Sequence, residues 1–514
     1  MGYLTGVNGA SVNTIYEIGT PVNGYYATGV PDGMGAYKLS NGNIRLLVNS
    51  EIRPTAGPTY TLSNGTSLKG SRISYFEINP QTDTVISSGL AYTTAYDRMG
   101  NIVTNPSQIN GGIAATDGYN RFCAANLIPA NMFGSGTGFD RNLFLVGEES
   151  GTYATMQVLD TTTNTLYGAA DLGYGGWESA TVLNTGVANK VAVLLGDDYV
   201  DAPIYLYVGT KNAASTNVLE KNGLLGGQMY VWCADSGASS SASLAAGSTT
   251  SGTWKALNVR DTSKAGTSGY DTYGYKFATT LRAEAKAMGA FLGYRIEDVD
   301  VNPQKTTEIV FNTTGGQSTG TGSAQTGSGD YYGSTWILNT TFSSAGDPVS
   351  GALKHAYDGD ASGNQSKGIR SQDNLAWSAN GYILVNEDRS VEAGSDGGAA
   401  AWGSNEASIF RLDPVTGQAV RAAYINRTLP SGFTDSLSST VGAWETSGII
   451  DVSALYGNPA GVDFYTAVQA HGTTNGIISS QSLVEGGSIE HLRMPIQQQL
   501  NVGGVSFINQ WAWA

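Results

Sequence analysis

The chain is short of charge, of cysteine, of histidine and of long apolar runs. Only 13% of its residues are charged, against roughly 25% in an average soluble domain. Its two cysteines, Cys123 and Cys233, form no CxxC pair, and its three histidines, His355, His471 and His491, form no HExxH motif. A zinc site built by the protein is therefore not expected. Both cysteines lie in apolar runs, which predicts buried free thiols rather than a disulfide. A bound metal would be held mainly by oxygen, which points to Ca²⁺, Mg²⁺, Mn²⁺ or carboxylate-bound iron. No stretch of about 18 apolar residues exists, so no membrane-spanning helix is predicted. There is no basic run, and 42 acids against 27 bases leave a net charge of −15. Such a chain repels nucleic acid and anionic membranes and attracts cations. The opening MGYLTGVNGA lacks the basic and apolar regions of a secretory signal. Low lysine and cysteine with abundant Gly, Ser, Thr and Asn nevertheless lean toward a place outside the cytoplasm: secreted, periplasmic or at the cell surface.

What the chain does have is glycine, 69 in 514 residues, and many short β-branched or aromatic runs. Examples are IRLLVN (44–49), LFLVG (143–147), VAVLLG (191–196), IYLYVG (204–209), QMYVWC (228–233), EIVFN (308–312), GYILVN (381–386) and SIFRL (408–412). Each is bounded by Gly, Asn, Asp or Pro and reads as a strand. One segment, 280–291 (TLRAEAKAMGAF), has helical spacing. Two low-complexity segments, 236–252 and 313–333, read as long loops inserted within one fold spanning 1–514. YFEINPQTDT (75–84) and FRLDPVTGQ (410–418) share one grammar, a strand ending in an NP or DP hairpin turn. Degenerate hairpins at this density predict an all-β propeller, with a sandwich pair as the competing architecture.

The candidate chemistry is acidic. Four adjacent acid pairs occur, Glu148-Glu149, Asp197-Asp198, Glu297-Asp298 and Glu387-Asp388. Chance alone gives about as many, so their position matters more than their number. Three directly follow apolar strands. Like charges at a strand end are costly unless a cation or arginine compensates them. In a propeller, strand ends of one sense converge on the channel mouth, where several such pairs would form a cation site. Any one pair read alone is a solvated turn. Glu51 ends the strand IRLLVN, Glu178 sits in GGWESA, and Arg370, Asp373 and Asn374 share GIRSQDNLAW. His471 sits in VQAHG, where a lone histidine is ordinarily structural.

The order of these motifs resembles the PhoX-type alkaline phosphatases. YATGVPDGMGAY (26–37) with LLVNSE is similar to that family's opening "GxPDGxGA…LxNHE". FCAAN with LFLVGEES is similar to "CAGG…LTCEE", and GGWESATV with LLGDDYVDAPIYLYVG to "GxxxHEAA…xGDD…YLYxF". GYRIEDVDVNP, GIRSQDNLAWSANGYILVNED and ETSGIIDVSALYG…FYTAVQAHG resemble the remaining family motifs in order, so the likeness covers about residues 20–475. The resemblance implies a six-bladed propeller that hydrolyses phosphomonoesters at a cluster of iron and calcium. It implies metal ligands at Glu148 or Glu149, Glu178, Asp198, Glu297 and Asp373, with Glu297, Asp373 and Asn374 at the reacting centre. Asp32 and Glu51 fall in the opening acidic motif. Arg370, Glu387 and His471 are further acidic or substrate-facing positions, and Lys354 and His355 occupy the stretch where the family is basic.

The departures bear on the metal. Gly147 stands where the family's "TCEE" cysteine, an iron ligand, is expected; Ser50 and Trp177 stand where histidines are expected. Losing a soft ligand favours calcium over iron, and Cys123 aligns with a different family cysteine that need not reach the metal. Two readings result. One is a divergent phosphomonoesterase with a small phosphate-ester substrate. The other is a catalytically impaired calcium-binding propeller serving as a surface, matrix or binding protein. Self-association is permitted by the sequence but not demanded.

Overall fold

The computed structural model describes residues 2–316, 330–364, 367–389 and 405–495, together with the backbone of two short strands, Gln499–Val502 and Val505–Ile508. Most strands pair antiparallel with their neighbours in sequence, as short connections dictate. The larger sheets among the described residues are two of four strands, two of five and one of nine, in which two units are joined edge to edge. The innermost strands are β1 (Pro31–Lys38), β2 (Phe122–Ile128), β3 (Trp177–Leu183), β4 (Ile296–Val301), β5 (Gln372–Trp377) and β6 (Glu445–Asp451). Each packs on the next, and β6 packs on β1, so together they ring a central channel. The protein is a β-propeller.

Burial follows from this arrangement. A middle strand is covered on both faces by neighbouring units. Met156–Asp160, Ile383–Glu387 and Asp463–Ala470 are accordingly buried at every position. At the periphery one face is wet, and Thr249–Leu257 alternates exposed and buried from Thr249 to Trp254. The hairpin grammar holds in atomic detail. Asn79 Oδ1 accepts from the Gln81 amide at 2.9 Å, and Asp413 Oδ1 from the Val415 amide at 2.8 Å. Each pins its turn through its own side chain.

Two expectations need correction. The segment 236–252 is not simply a loop. It holds a short 3₁₀ turn, Ser241–Ser243, and the start of Thr249–Leu257, which pairs with both Gln228–Ala234 and Pro348–Asp358 and joins two units. Two-sided backbone pairing stabilises a stretch whose Ser/Thr composition hid its alternation. Residues 317–329 of the other low-complexity segment lie outside the described residues. The helix runs Ala278–Ala287, ending earlier than its apolar pattern, because Gly289 adopts a left-handed φ of +81°.

The ring closes through the N-terminal strand. Ser11–Glu17 pairs with Gly486–Arg493 on the edge of the last unit. The seam carries a buried charge network: His491 lies 3.0 Å from Asp83 of the first unit and 3.0 Å from Asp463 of the last. Tyr456 donates to Asp83 at 2.7 Å, and Arg493 lies 3.2 Å from both acids. His491→Gln removes the bridge between two buried carboxylates. It is expected to cost about 1–3 kcal/mol through the lost hydrogen bonds, read as a lower midpoint in denaturant unfolding.

Candidate functional site

Five of the six inner strands start in the same irregular way. The first residue pairs normally, the next two oppose a single residue of the adjacent strand, and regular pairing then resumes. Each is a β-bulge, which re-aims a side chain at the end of a strand. The bulged pairs are Asp32-Gly33, Cys123-Ala124, Glu178-Ser179, Glu297-Asp298 and Asp373-Asn374. The first member of every pair lines one cavity at the channel mouth, of about 440 Å³, and Glu445 at the start of β6 joins them. Four of these strands are reached through a residue of left-handed backbone: Val30 (φ 54°), Arg121 (47°), Arg295 (60°) and Ser371 (51°). For Val30 this is strained, at a cost of order 1–3 kcal/mol. Strain repeated at equivalent positions around one cavity indicates that the fold holds these chain turns for the site.

The second strand of four of the units supplies a second tier. Glu51, Glu149, Asp198 and Asp388 come just after the residue paired with the start of the inner strand, and all four line the cavity. Three of the four acid pairs are thereby split in function; in the fourth, Glu297-Asp298, it is the leading acid that lines the cavity. In the other three the leading acid stays in the blade and clamps the chain leading into the inner strand. Glu148 accepts from the Asn120 amide at 3.1 Å and from Gln157 at 3.3 Å. Asp197 accepts from the Gly176 amide at 2.9 Å. Glu387 accepts from the Arg370 and Ser408 amides at 2.8 and 3.0 Å. Only the second acid of these three pairs faces the channel, because successive residues of a strand point in opposite directions.

This geometry sorts the expected residues. Asp32, Glu51, Glu149, Glu178, Asp198, Glu297, Asp373 and His471 all line the cavity. Glu148 and Glu387 do not, and Arg370 lies buried in its blade with its Nε 3.4 Å from Glu387. Asn374 lies behind the cavity wall, donating to Asp32 at 3.1 Å, and Ser447 donates to the same oxygen at 2.9 Å. Lys354 donates to the Pro414 carbonyl at 2.7 Å, and His355 stacks on Trp336 at 4.0 Å. Neither faces the channel.

Both cysteines, Cys123 and Cys233, are buried free thiols, as expected. Cys123 also lines the cavity, where its Sγ lies 3.4 Å from Glu149. Gly147 is the residue opposite the β2 bulge, and it faces the neighbouring blade. A Cβ there would lie 1.9 Å from the Trp177 carbonyl oxygen. The equivalent positions are Gly196, whose Cβ would lie 2.4 Å from the Glu297 carbonyl, and Asn49, Asn312 and Asn386. The three asparagines donate to backbone carbonyls of the next unit. The position is a spacer between blades. Gly147→Cys is therefore expected to destabilise the fold through overpacking by about 1–3 kcal/mol or more, read as a lower melting temperature, and to leave metal content no higher. Ser50, bonded to Thr28, and Trp177, bonded to the Gly173 carbonyl, also lie outside the cavity.

Ten carboxylates line the cavity, against Arg53, Arg121, Arg295 and His471. Burial and mutual repulsion push Glu149, Glu178, Asp373 and Glu445 well above the usual carboxylate range. Glu297 is pushed up to about 8, by burial and then Asp198, and Asp32 to about 7, by burial and then Glu51. Burial also raises Asp198, but Arg295, at 2.7 Å, holds it below the usual range. Arg121 pairs with Glu51 and, at 2.6 Å, with Glu149. His471, 2.6 Å from Glu485 and 3.6 Å from Glu445, is held well above the usual imidazole range although burial opposes its charge. The arginines leave a large acidic excess, so the site as built calls for cations.

The donors are spaced for cations. Ligand atoms come together within 4.8 Å in four sets: Asp32–Glu51–Cys123, Cys123–Glu149–Glu178, Glu178–Glu297–Asp373 and Asp373–Asp388–Glu445. That separation suits ligands about 2.3–2.6 Å from a shared ion. Consecutive sets share Cys123, Glu178 and Asp373, so they form one continuous chain across the mouth. The donor set is hard oxygen with one thiolate-capable sulfur, and it fits several hard cations with one softer neighbour. Asp388 and Glu445 are not singled out as ligands by the sequence. Asp388 is marked only by its place as second member of an acid pair; Glu445 has no signal beyond its motif.

The family model for alkaline phosphatase PhoX matches residues 158–429, more than half of the chain. The chain belongs to this family. The PhoX match contains Glu178, Asp198, Glu297, Asp373 and Asp388, whereas Asp32, Glu51, Cys123, Glu149 and Glu445 lie outside it. Among solved structures, the fold is similar to PhoX of Pseudomonas fluorescens in complex with vanadate, a transition state analogue. The TM-score is 0.58 at 14% identity, with 96% of each chain covered. A luciferin-regenerating enzyme covers 95% of this chain and 96% of its own at 8% identity and a TM-score of 0.32. An oligogalacturonate lyase from Vibrio parahaemolyticus covers 91% and 99% at 7% and 0.28. These last two are too distant to carry an argument. No curated protein matches the sequence.

Proposed function

We propose that the protein is a metal-dependent phosphomonoesterase acting outside the cytoplasm, on small phosphate esters. The observation that carries this reading is the chain of four ligand sets with shared members, bordered by Arg121 and Arg295. Glu149, Glu178, Asp198, Glu297 and Asp373, with Asp32, Glu51, Cys123, Asp388 and Glu445, would hold the cations. Bound calcium, with iron at the thiol end, would neutralise a phosphate group and lower the pKa of an attacking water. The chain's own groups do the rest. Asn374 and Ser447 hold Asp32 in place from behind. Arg295, already oriented by Asp198 and Glu297, offers guanidinium N–H groups at the mouth, where phosphoryl oxygens would meet them. His471, fixed between Glu445 and Glu485, is a proton carrier at the rim.

Cys123, at the cavity, would supply a soft ligand in place of the one whose loss at Gly147 argues against iron. The non-catalytic reading rests on the Gly/Ser/Thr-rich loops and on Gly147, Ser50 and Trp177, and none of these three residues lines the cavity. No helix among the described residues is long and apolar enough to cross a membrane. The test is to purify the protein, measure bound calcium and iron, and assay an aryl phosphate from pH 6 to 10 with and without chelator. Turnover that chelator removes and calcium restores is expected. Bound calcium without turnover at any pH would leave the calcium-stabilised binding protein instead.

A further inference from the structure

We infer that Arg282, on the helix Ala278–Ala287 of an insertion between two blades, is a positioning residue for the cation centre, acting through Asp197. The inference rests on the functional reading above. Arg282 grips Asp197 with two bonds, Nε to Oδ2 at 2.8 Å and an Nη to Oδ1 at 2.5 Å. The pair is buried, with side-chain exposures of 13% and 1%. Asp197 is the leading acid of its pair and does not itself reach the cavity.

Three chain segments that build the site meet the helix at this node. Asp197 Oδ1 accepts from the Gly176 amide, and the Asp198 amide donates back to the Gly176 carbonyl at 2.8 Å. Gly176 leads directly into Trp177 and the ligand Glu178. The Tyr199 amide donates to the Asp197 carbonyl at 2.8 Å, and the Tyr199 carbonyl accepts from the Arg295 amide at 3.1 Å. The Arg282 guanidinium also lies over the Tyr199 ring, 3.7 Å from its centroid. Glu178, Asp198 and Arg295 therefore take their positions from backbone tied to one arginine–carboxylate fork.

Glu148 and Glu387, the leading acids that also stay in their blades, do not depend on a distant element in this way. Glu387 is satisfied within its own unit by Arg370, and Glu148 by Asn120 and Gln157. For Asp197 the partner comes from a helix 85 residues away. Removing the guanidinium would leave a buried carboxylate uncompensated, directly beside a ligand. Fixing ligand orientation from behind typically accounts for 10–100-fold in metal affinity. The planar two-point grip is not reproduced by lysine.

The test uses chelator-stripped full-length protein titrated with calcium by calorimetry, alongside kcat and KM for an aryl phosphate. R282Q is expected to bind calcium about 10–100-fold more weakly, with kcat falling and KM little changed. R282K should recover part of the affinity. K286Q is the control. It removes the exposed Lys286–Asp201 pair, 3.0 Å apart on the same helix, and should bind as the wild type does. Wild-type affinity in folded R282Q, or equal weakening in K286Q, would overturn the inference. So would wild-type affinity in R282K if R282Q fails to fold, since the arginine would then serve folding alone. A wild-type protein that binds no calcium would overturn the functional reading, and this one with it.

Discussion

Glu297→Gln combined with Asp373→Asn is expected to abolish phosphomonoester hydrolysis and to strip the centre of its cations. Both carboxylates belong to the set with Glu178, and Asp373 also belongs to the set with Asp388 and Glu445. Two of the four sets thus lose ligands at once. Amides keep the size and shape of the carboxylates, so the bulges and the ring should persist while the charge is lost. Supporting groups alone account for 10–100-fold, so removing two direct ligands of one set should cost at least about 100-fold in kcat/KM. Elemental analysis of the purified variant would show the loss of metal, and steady-state assay the loss of turnover. Full activity would refute the site assignment. Glu148→Gln provides the contrast. Its amide oxygen can still accept from the Asn120 amide, and the side chain lies off the cavity, so metal content should be retained.

The second large effect is on stability. Chelator-stripped protein is expected to lose stability as pH rises from about 5 to 8, and calcium should restore it. The sign follows from linkage. Asp32 and Glu297 are raised from 3.8 to about 7 and from 4.5 to about 8. Between those limits the folded chain keeps protons that the unfolded chain has released. Stability carried by the raised groups is full below about pH 4 and is lost as pH climbs through 7 and 8. Glu149, Glu178, Asp373 and Glu445 act in the same direction, while Asp198, whose pKa is lowered, acts in the opposite one and is outnumbered. Cations bound to the ionised carboxylates stabilise the folded state by about 4 kcal/mol at a thousandfold excess over Kd. The melting temperature of stripped protein should therefore fall by at least about 5 °C across this range, and that of calcium-loaded protein should stay level. A flat profile in the stripped protein would show that the carboxylates are compensated without metal.

Much of the site is legible in the amino-acid sequence. Glu51, Glu149, Glu178, Asp198, Glu297 and Asp373 are marked by strand-end position and motif order, and all of them converge on one cavity. What misleads is adjacency. Glu148 and Glu149 look alike in sequence, yet one clamps a blade and the other faces the channel. Cys123 reads as a core residue because it sits in an apolar run, but that run opens β2, where the bulge turns its second residue inward. Gly147 draws attention as a missing ligand, although it packs against the next blade's backbone.

The sequence by itself determined the all-β class, the hairpin turns and the oxygen-rich, cation-seeking character. These depend on local features: β-branched runs, Asn and Asp in turns, and the balance of charge. Tertiary structure decided which member of each acid pair reaches the channel, how Cys123 joins the cavity lining and where Arg282 comes to rest. Those outcomes depend on the phase of a bulge and on contacts closing a ring between residues hundreds of positions apart, and neither leaves a local signature in the chain.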